Sequence, residues 1–133
     1  EQIEDITPDG IIGNGSEPSP YTVAQAIIYQ GETEVWVEGY IMGWGKGSIS
    51  LEVLTNTTDL NSNKNIVLAD NNTETDKSKM IPIKFIVTEN EPQKQLNFQD
   101  NSHLLGRKVK VCCNLSKEYN VAGGNEIIGF EII

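Results

Sequence analysis

Apolar residues in this chain recur mostly at every second position, the spacing of β-strands that keep one face in a core. The alternation is cleanest in KVKVCCNL, where Val109, Val111 and Cys113 face one way and Lys108 and Lys110 the other. The runs predicted as strands are 35–44, 65–70, 80–87, 108–115 and 126–133, and the pattern also allows a short strand within 48–54. The chain is therefore predicted to be mainly β.

Two short segments are predicted to be helical instead. Thr22 followed three residues later by Gln25 forms a capping box, and Gly31 suits the C-terminal end of the helix that this box begins. Asp100 is expected to cap a helical turn over 101–105, inside the connection between the third and fourth long strands.

The order of elements is helix, long strand, two strands, a connection with a short helix, then two strands. This is the order of a five-stranded Greek-key OB barrel, whose helix lies between strands three and four. Gly39, in the middle of the first strand, fits the bend that lets one strand serve both halves of such a barrel. The prediction is an all-β fold class, an OB-like barrel with an N-terminal helix.

The predicted domain occupies residues 20–133 and follows a flexible linker at 1–19. The linker assignment comes from a stretch rich in Gly, Pro, Ser and acidic residues. That composition is also expected after an export or anchor segment, so the sequence predicts an exported protein.

The motifs PYTVAQA (20–26), VWVEGYIMG (35–43), LAD (68–70) and LGRKVKV (105–111) carry a resemblance. They are similar to those of a family of uncharacterised secreted or lipid-anchored bacterial OB-fold domains, over roughly residues 20–133. The resemblance implies the OB fold and a location in the cell envelope or outside the cell, with a lipid anchor before Glu1 as one route. It implies no ligand.

Composition narrows the classes of function. The 133 residues include 10 basic and 19 acidic ones, for a net charge of −9. This excess of acid argues against general DNA packaging, because phosphates are neutralised by Lys and Arg. Two cysteines and one histidine exclude a Cys/His zinc finger. The adjacent Cys112 and Cys113 are expected to be free thiols, because a disulfide between neighbours is strained.

Catalysis finds no support in the sequence, and no cofactor is expected. His103 stands alone on a short turn, without a Ser or Cys motif that could pair with it. The run DNNTETD is a weak calcium candidate, because acidic and amide side chains that offer oxygen ligands lie at every second position. These residues are Asp70, Asn72, Glu74 and Asp76. The run lacks the Gly and Glu of an EF-hand loop at positions six and twelve.

Positive charge is concentrated in residues 77–117, which hold eight basic and three acidic residues for a local charge of +5. Within this half, Lys84, Lys108 and Lys110 lie on predicted strands and could contact phosphates. Alternatively, they are solvated lysines that protect strands from aggregation. Weak binding of single-stranded nucleic acid is therefore one alternative function, which the net charge disfavours.

Aromatic residues supply the other candidate contacts. Trp36, Tyr40 and Trp44 share one face of the first strand if it runs straight, and there they could stack on bases or sugar rings. Tyr119 lies in the loop between the last two strands, where it either contacts a ligand or packs on its own loop. The leading prediction is a non-catalytic binding module of the bacterial cell envelope, with an oligosaccharide, an oligonucleotide or a protein as ligand. The alternative is a structural or protein-interaction domain in which these aromatics belong to the core.

Overall fold

The structure is a computed structural model that describes residues 13–47, 50–86 and 90–133. Within these ranges the chain forms two α-helices and six β-strands. The helices are α1 (Val23–Ile28) and α2 (Glu91–Leu96). The strands are β1 (Val35–Lys46), β2 (Glu52–Leu54), β3 (Asn65–Ala69), β4 (Met80–Lys84), β5 (Lys108–Leu115) and β6 (Gly124–Ile132). Short 3-10 helices lie at Leu60–Asn63, Lys77–Lys79 and Ser102–Leu104.

Five of the strands close into a ring. They pair in the order β1–β3–β4–β6–β5, and β5 pairs back to β1. The pairs are antiparallel except β4–β6, which is parallel and registered at Ile83 and Gly124. The short β2 extends the sheet from the end of β1. With α2 between the third and fourth barrel strands, this arrangement confirms the predicted all-β, OB-like barrel.

Helix α1 begins where the sequence predicts. The Thr22 hydroxyl oxygen accepts from the Gln25 N–H, and the Gln25 side chain accepts from the Thr22 N–H, both at 3.1 Å. Asp70, 47 residues beyond Val23, adds a second cap that the sequence did not reveal. Its two carboxylate oxygens accept from the N–H groups of Val23 at 2.8 Å and Ala24 at 3.0 Å. The start of α1 is thereby fixed to the end of β3.

The connection between β4 and β5 differs from the prediction. Asn90 caps helix α2, and its side chain accepts from the Gln93 N–H at 3.1 Å. The sequence pattern missed this helix because six residues are too few to show helical periodicity. The turn expected over 101–105 is the 3-10 helix Ser102–Leu104, preceded by Asn101 rather than capped by Asp100.

Residues 13–19, assigned to the linker by the sequence, pack on the barrel. The Gly15 carbonyl accepts from the Trp36 N–H at 2.8 Å, and the Gln25 side chain makes two hydrogen bonds of 3.0 Å to the backbone of Gly13. We call residues 13–19 the N-terminal strap. The strap is thus held on the barrel by hydrogen bonds, and the remainder of the predicted linker lies outside the described residues.

Strand β1 changes face at a β-bulge. Its pairing with β3 slips between Ile41 and Gly43, so one extra residue is inserted in β1. Gly43 has φ +138°, and a Cβ there would collide with the backbone oxygen of Leu54. Before the bulge, Val37 and Ile41 point into the core. Beyond it, the alternation between inward and outward positions is reversed.

Tyr21 couples the fold to pH in the alkaline range. Its hydroxyl donates to a Glu32 carboxylate oxygen at 2.7 Å, and its ring lies 4.9 Å from that of Tyr29. Burial, followed by the hydrogen bond to Glu32 and the charge of Glu32, raises the pKa of Tyr21 from 10.0 to about 12. The neutral hydroxyl is therefore the form that the fold favours.

We expect the domain to lose stability as the pH rises from about 10 to about 12. The unfolded chain releases the Tyr21 proton near pH 10 and the folded chain near pH 12, so alkali favours unfolding across that window. Below pH 10 the contribution is fully present. Thermal melts at half-unit pH steps should show a shallower alkaline decline in Tyr21→Phe than in the wild type. Parallel declines in the two proteins would contradict this assignment.

Candidate functional site

Trp44 lies in the core, contrary to its predicted place among the exposed aromatics. Its side chain is 0% exposed, and its indole N–H donates to the Asn56 carbonyl at 2.8 Å. The bulge at Gly43 reverses the alternation that would have placed Trp44 beside Trp36 and Tyr40. A ring with no exposed face cannot stack on a ligand, so Trp44 is removed from the candidate contacts.

Trp36 and Tyr40 remain on the outer side of the barrel, where both are half-buried. The residues directly opposite on β5 are Cys112 for Trp36, Lys110 for Glu38 and Lys108 for Tyr40. We call Trp36, Glu38, Tyr40, Lys108 and Lys110 the β1–β5 outer face. Four residues of strand separate the two rings by about 13 Å. The sequence thus placed these two aromatics correctly with respect to each other.

The two lysines of the β1–β5 outer face lie over its aromatic rings. The Lys110 ammonium is 5.6 Å from the Trp36 ring centroid, and the Lys108 ammonium is 5.6 Å from that of Tyr40. These are cation–π distances. Lys108 also forms an ion pair with Glu38 at 2.8 Å, and Lys110 lies 3.3 Å from a carboxylate oxygen of Glu131. The positive charge of this face is therefore largely compensated.

Lys84, the third predicted phosphate contact, belongs to a different part of the barrel. Its ammonium lies 5.8 Å from the Tyr119 ring centroid and 3.6 Å from a carboxylate oxygen of Glu118. The structure therefore brings Lys108 and Lys110 together and leaves Lys84 apart from them. Each of the three lysines has a carboxylate neighbour, which lowers the positive potential that a nucleic acid would meet.

Tyr119 anchors the loop between β5 and β6. Glu118 and Val121 exchange backbone hydrogen bonds of 2.9 and 3.0 Å across a two-residue turn. Tyr119 and Asn120 have φ +52° and +66°, as a type I′ turn requires. The Tyr119 hydroxyl accepts from the Asn65 side-chain amide at 2.9 Å, and burial raises the pKa of Tyr119. The ring is half-buried, and its contacts stabilise the position of the loop.

The outer side of β3 and β4, where OB barrels commonly bind oligonucleotides and oligosaccharides, is covered by the chain itself. A second apolar cluster forms there from Val67, Ala69 and Met80, with Met42 and Val53 packed against it. Leu51, just before β2, is only 4% exposed and lies with Val67 against Gly45. The Lys77 ammonium donates to the Leu51 carbonyl at 3.0 Å. This cover is difficult to predict from the sequence, because β2 has only three residues.

Three of the weak calcium candidates Asp70, Asn72, Glu74 and Asp76 use their carboxylates within the fold. Asp70 caps α1, Glu74 accepts from the Asp76 N–H at 3.1 Å, and Asp76 accepts from the Ser78 N–H at 2.9 Å. The acidic oxygens therefore serve helix starts and turns. Across 13–47, 50–86 and 90–133, no group of three or more His, Cys, Asp or Glu residues is placed to hold a metal ion.

Cys112 and Cys113 are free thiols, as expected, and both are buried. Cys113 lies in the core, where burial raises its pKa to about 12. Cys112 points outward but lies beneath Trp36 and beside Gly129. Burial also raises the pKa of Cys112, so neither thiol has the lowered pKa of a reactive cysteine.

A protein-family model described as a domain of unknown function, DUF6359, matches residues 21–132. The chain belongs to the DUF6359 family. No curated protein sequence matches this DUF6359 domain. A solved structure similar to it is that of the hypothetical protein YgiW from E. coli, with a TM-score of 0.47 and 14% identity, covering 93% of this chain and 98% of that one. Within the described part of the DUF6359 domain, no helix is long and apolar enough to cross a membrane.

Proposed function

We propose that this DUF6359 domain is a non-catalytic binding module that contacts its ligand through the β1–β5 outer face. The observation that carries the proposal is the pair of half-buried rings, Trp36 and Tyr40, on the outer side of one strand of a closed barrel. Aromatic side chains offer a large contact area, and a site built on strands holds them in position. The two rings therefore form a fixed platform.

Several features favour an oligosaccharide or a protein over a nucleic acid as ligand. The net charge is −9, and each of the three candidate lysines lies beside a carboxylate. The usual OB contact surface on β3 and β4 is covered by Leu51 and its neighbours. A polyanion would have to displace ion pairs and approach a protein of the same sign.

We expect any ligand of this surface to lose about tenfold in affinity when either ring is removed, because stacking on one aromatic contributes about 1–3 kcal/mol. Glycan and single-stranded oligonucleotide arrays, at low and high salt, would be probed with wild type, Trp36→Ala and Tyr40→Ala. Leu60→Ala is the control, since Leu60 is 82% exposed in a short 3-10 helix outside the β1–β5 outer face. Circular dichroism checks that each variant is folded. Unchanged binding by both ring variants would contradict the proposal.

A structural domain without a small ligand is the second candidate. It is favoured by the burial of Trp44 and by the hydrogen bond that ties Tyr119 to Asn65, since two of the four candidate aromatics serve packing. Under this alternative, no array ligand would depend on Trp36 or Tyr40. Trp36→Ala would then lower stability as a buried residue does.

The proposal includes a location in the bacterial cell envelope or outside the cell. Its support is the resemblance of the sequence motifs to exported OB-fold domains and the composition of residues 1–19. Fractionation of the native bacterial cells with an antibody against the domain would test this location. Recovery of the protein from the cytosol alone would contradict it.

A further inference from the structure

The β1–β5 outer face and its surroundings carry more negative than positive charge. The carboxylates are Glu17, Glu34, Glu38, Glu126 and Glu131, and the ammonium groups are Lys108 and Lys110. The balance is −3, and including Arg107 at the edge beside Ile133 leaves it at −2. The net charge of this surface is therefore negative, although its lysines come from residues 77–117, whose net charge is positive.

Direct contacts join these acidic residues to the sheet around Trp36. Asn114 lies in the same outward row of β5, donates to a Glu126 carboxylate oxygen at 3.3 Å and accepts from the Glu34 N–H at 3.0 Å. The charges of Glu34 and Glu17 add to burial in raising the pKa of Cys112, which lies beneath Trp36. Glu17 and Glu34 thus lie close enough to Cys112, beneath the Trp36 ring, for their charges to act there.

Lys110 shows how a cation binds at this place. Its ammonium lies over the Trp36 ring, donates to the Glu17 carbonyl at 2.8 Å and lies 3.3 Å from a Glu131 carboxylate oxygen. The Lys110 side chain is only 14% exposed, whereas those of Glu17 and Glu131 are 58% and 59% exposed. Because a carboxylate can accept several hydrogen bonds, these two retain capacity for a further cation.

We infer that this face docks a basic segment of a partner protein, whose Arg or Lys side chains bind among Glu17, Glu131 and the Trp36 ring. The inference rests on the proposed function and names the chemistry of its ligand. Arginine suits the place best, because a guanidinium stacks on aromatic rings and bonds carboxylates with two parallel N–H groups. An extended peptide has the same rise per residue as a β-strand. If it lies along β1, two cationic side chains four residues apart can therefore contact Trp36 and Tyr40 at the same time.

The test measures binding of three octapeptides to the whole domain by calorimetry. The peptides are Arg-Gly, Glu-Gly and Ser-Gly repeats, with a neutral hexasaccharide as a fourth probe. We expect the Arg-Gly peptide alone to bind, and its affinity to fall several-fold between 50 and 500 mM NaCl because salt screens exposed charges. Glu17→Gln and Glu131→Gln should each weaken binding about threefold to fivefold. Glu52→Gln, an exposed change on β2, is the matched control and should leave binding unchanged.

Lys110→Gln tests whether this face binds cations or anions. Removing the resident ammonium frees Trp36 and two carboxylates, so the Arg-Gly peptide should bind about fivefold more tightly. If the face served anions instead, the same change would weaken binding. Glu17 and Glu131 are exposed, whereas the Lys110 side chain is only 14% exposed. Equal melting temperatures would show that the folds of all the Gln variants are intact.

Three results would overturn the inference. One is Arg-Gly binding that Glu131→Gln leaves unchanged, and another is binding that Lys110→Gln weakens. The third is binding of the hexasaccharide, lost in Trp36→Ala, with no binding of the Arg-Gly peptide; the proposed function would then stand and the basic partner would not. If no probe responds to Trp36→Ala, both the inference and the proposed function fail.

Discussion

Trp44→Ala is expected to lower the free energy of unfolding by about 3–5 kcal/mol, the usual cost of removing a large buried aromatic. The indole is fully buried, and the change also leaves the Asn56 carbonyl without its 2.8 Å hydrogen bond. Urea denaturation followed by far-ultraviolet circular dichroism measures the difference without relying on tryptophan emission.

Trp44→Phe is the matched variant, because it keeps most of the buried ring and loses the indole N–H. We expect its effect to be well below that of alanine. The fluorescence of Trp36→Phe, in which Trp44 is the remaining tryptophan, should show the blue-shifted emission of a buried indole. A loss below about 1 kcal/mol in Trp44→Ala would place the ring at the surface and restore it as a ligand contact.

Asn65→Ala is expected to cost about 2–6 kcal/mol, because two buried backbone groups lose their partners at about 1–3 kcal/mol each. The Asn65 amide accepts from the Gly45 N–H at 2.7 Å and donates to the Gly45 carbonyl at 2.8 Å, and both residues are buried. It thus replaces a ladder pair at the end of β1. The same denaturation measurement applies.

Tyr119→Phe isolates the third hydrogen bond of Asn65, the one to the Tyr119 hydroxyl at 2.9 Å. Its loss should cost about 0.5–1.5 kcal/mol, the net value of one hydrogen bond. If Asn65→Ala destabilises no more than Tyr119→Phe, the Gly45 backbone groups do not depend on the Asn65 amide. The structural role given to Asn65 would then be incorrect.

The architecture could be predicted from sequence patterns because the features that indicate helices and strands span only a few residues. The capping box at Thr22 and Gln25 fixes the start of α1 within one turn. Alternation predicted the bounds of β5 as observed, since every second residue from Val109 to Leu115 is buried. The number and order of these elements were enough to predict the OB barrel and its all-β class.

The candidate site was less accessible because its residues depend on partners far along the chain. Asp70 was a weak calcium candidate from the sequence, but in the structure its carboxylate accepts from two N–H groups at the start of α1. The sequence left open whether Tyr119 contacts a ligand or packs on its own loop, and in the structure its hydroxyl accepts from Asn65, 54 positions away. No local pattern records such contacts, because the free energy that fixes them comes from burial and hydrogen bonding in the folded chain.

The net charge of the candidate surface also depends on residues far apart in the sequence. The +5 of residues 77–117 suggested a basic surface, yet folding places Lys108 beside Glu38 and Lys110 beside Glu131. The sign of a surface depends on which strands are neighbours, and the pairing of β5 with β1 and β6 brings in the acidic residues.

Trp44 shows the limit of predicting a side chain's position from local sequence patterns. Alternation along β1 places it with Trp36 and Tyr40, and nothing within a few residues contradicts that placement. The face it takes is decided at Gly43, where the backbone of Leu54 comes so close that no side chain fits and one residue bulges out. Because side chains in a strand alternate with a period of two, one inserted residue sends everything beyond it to the opposite face.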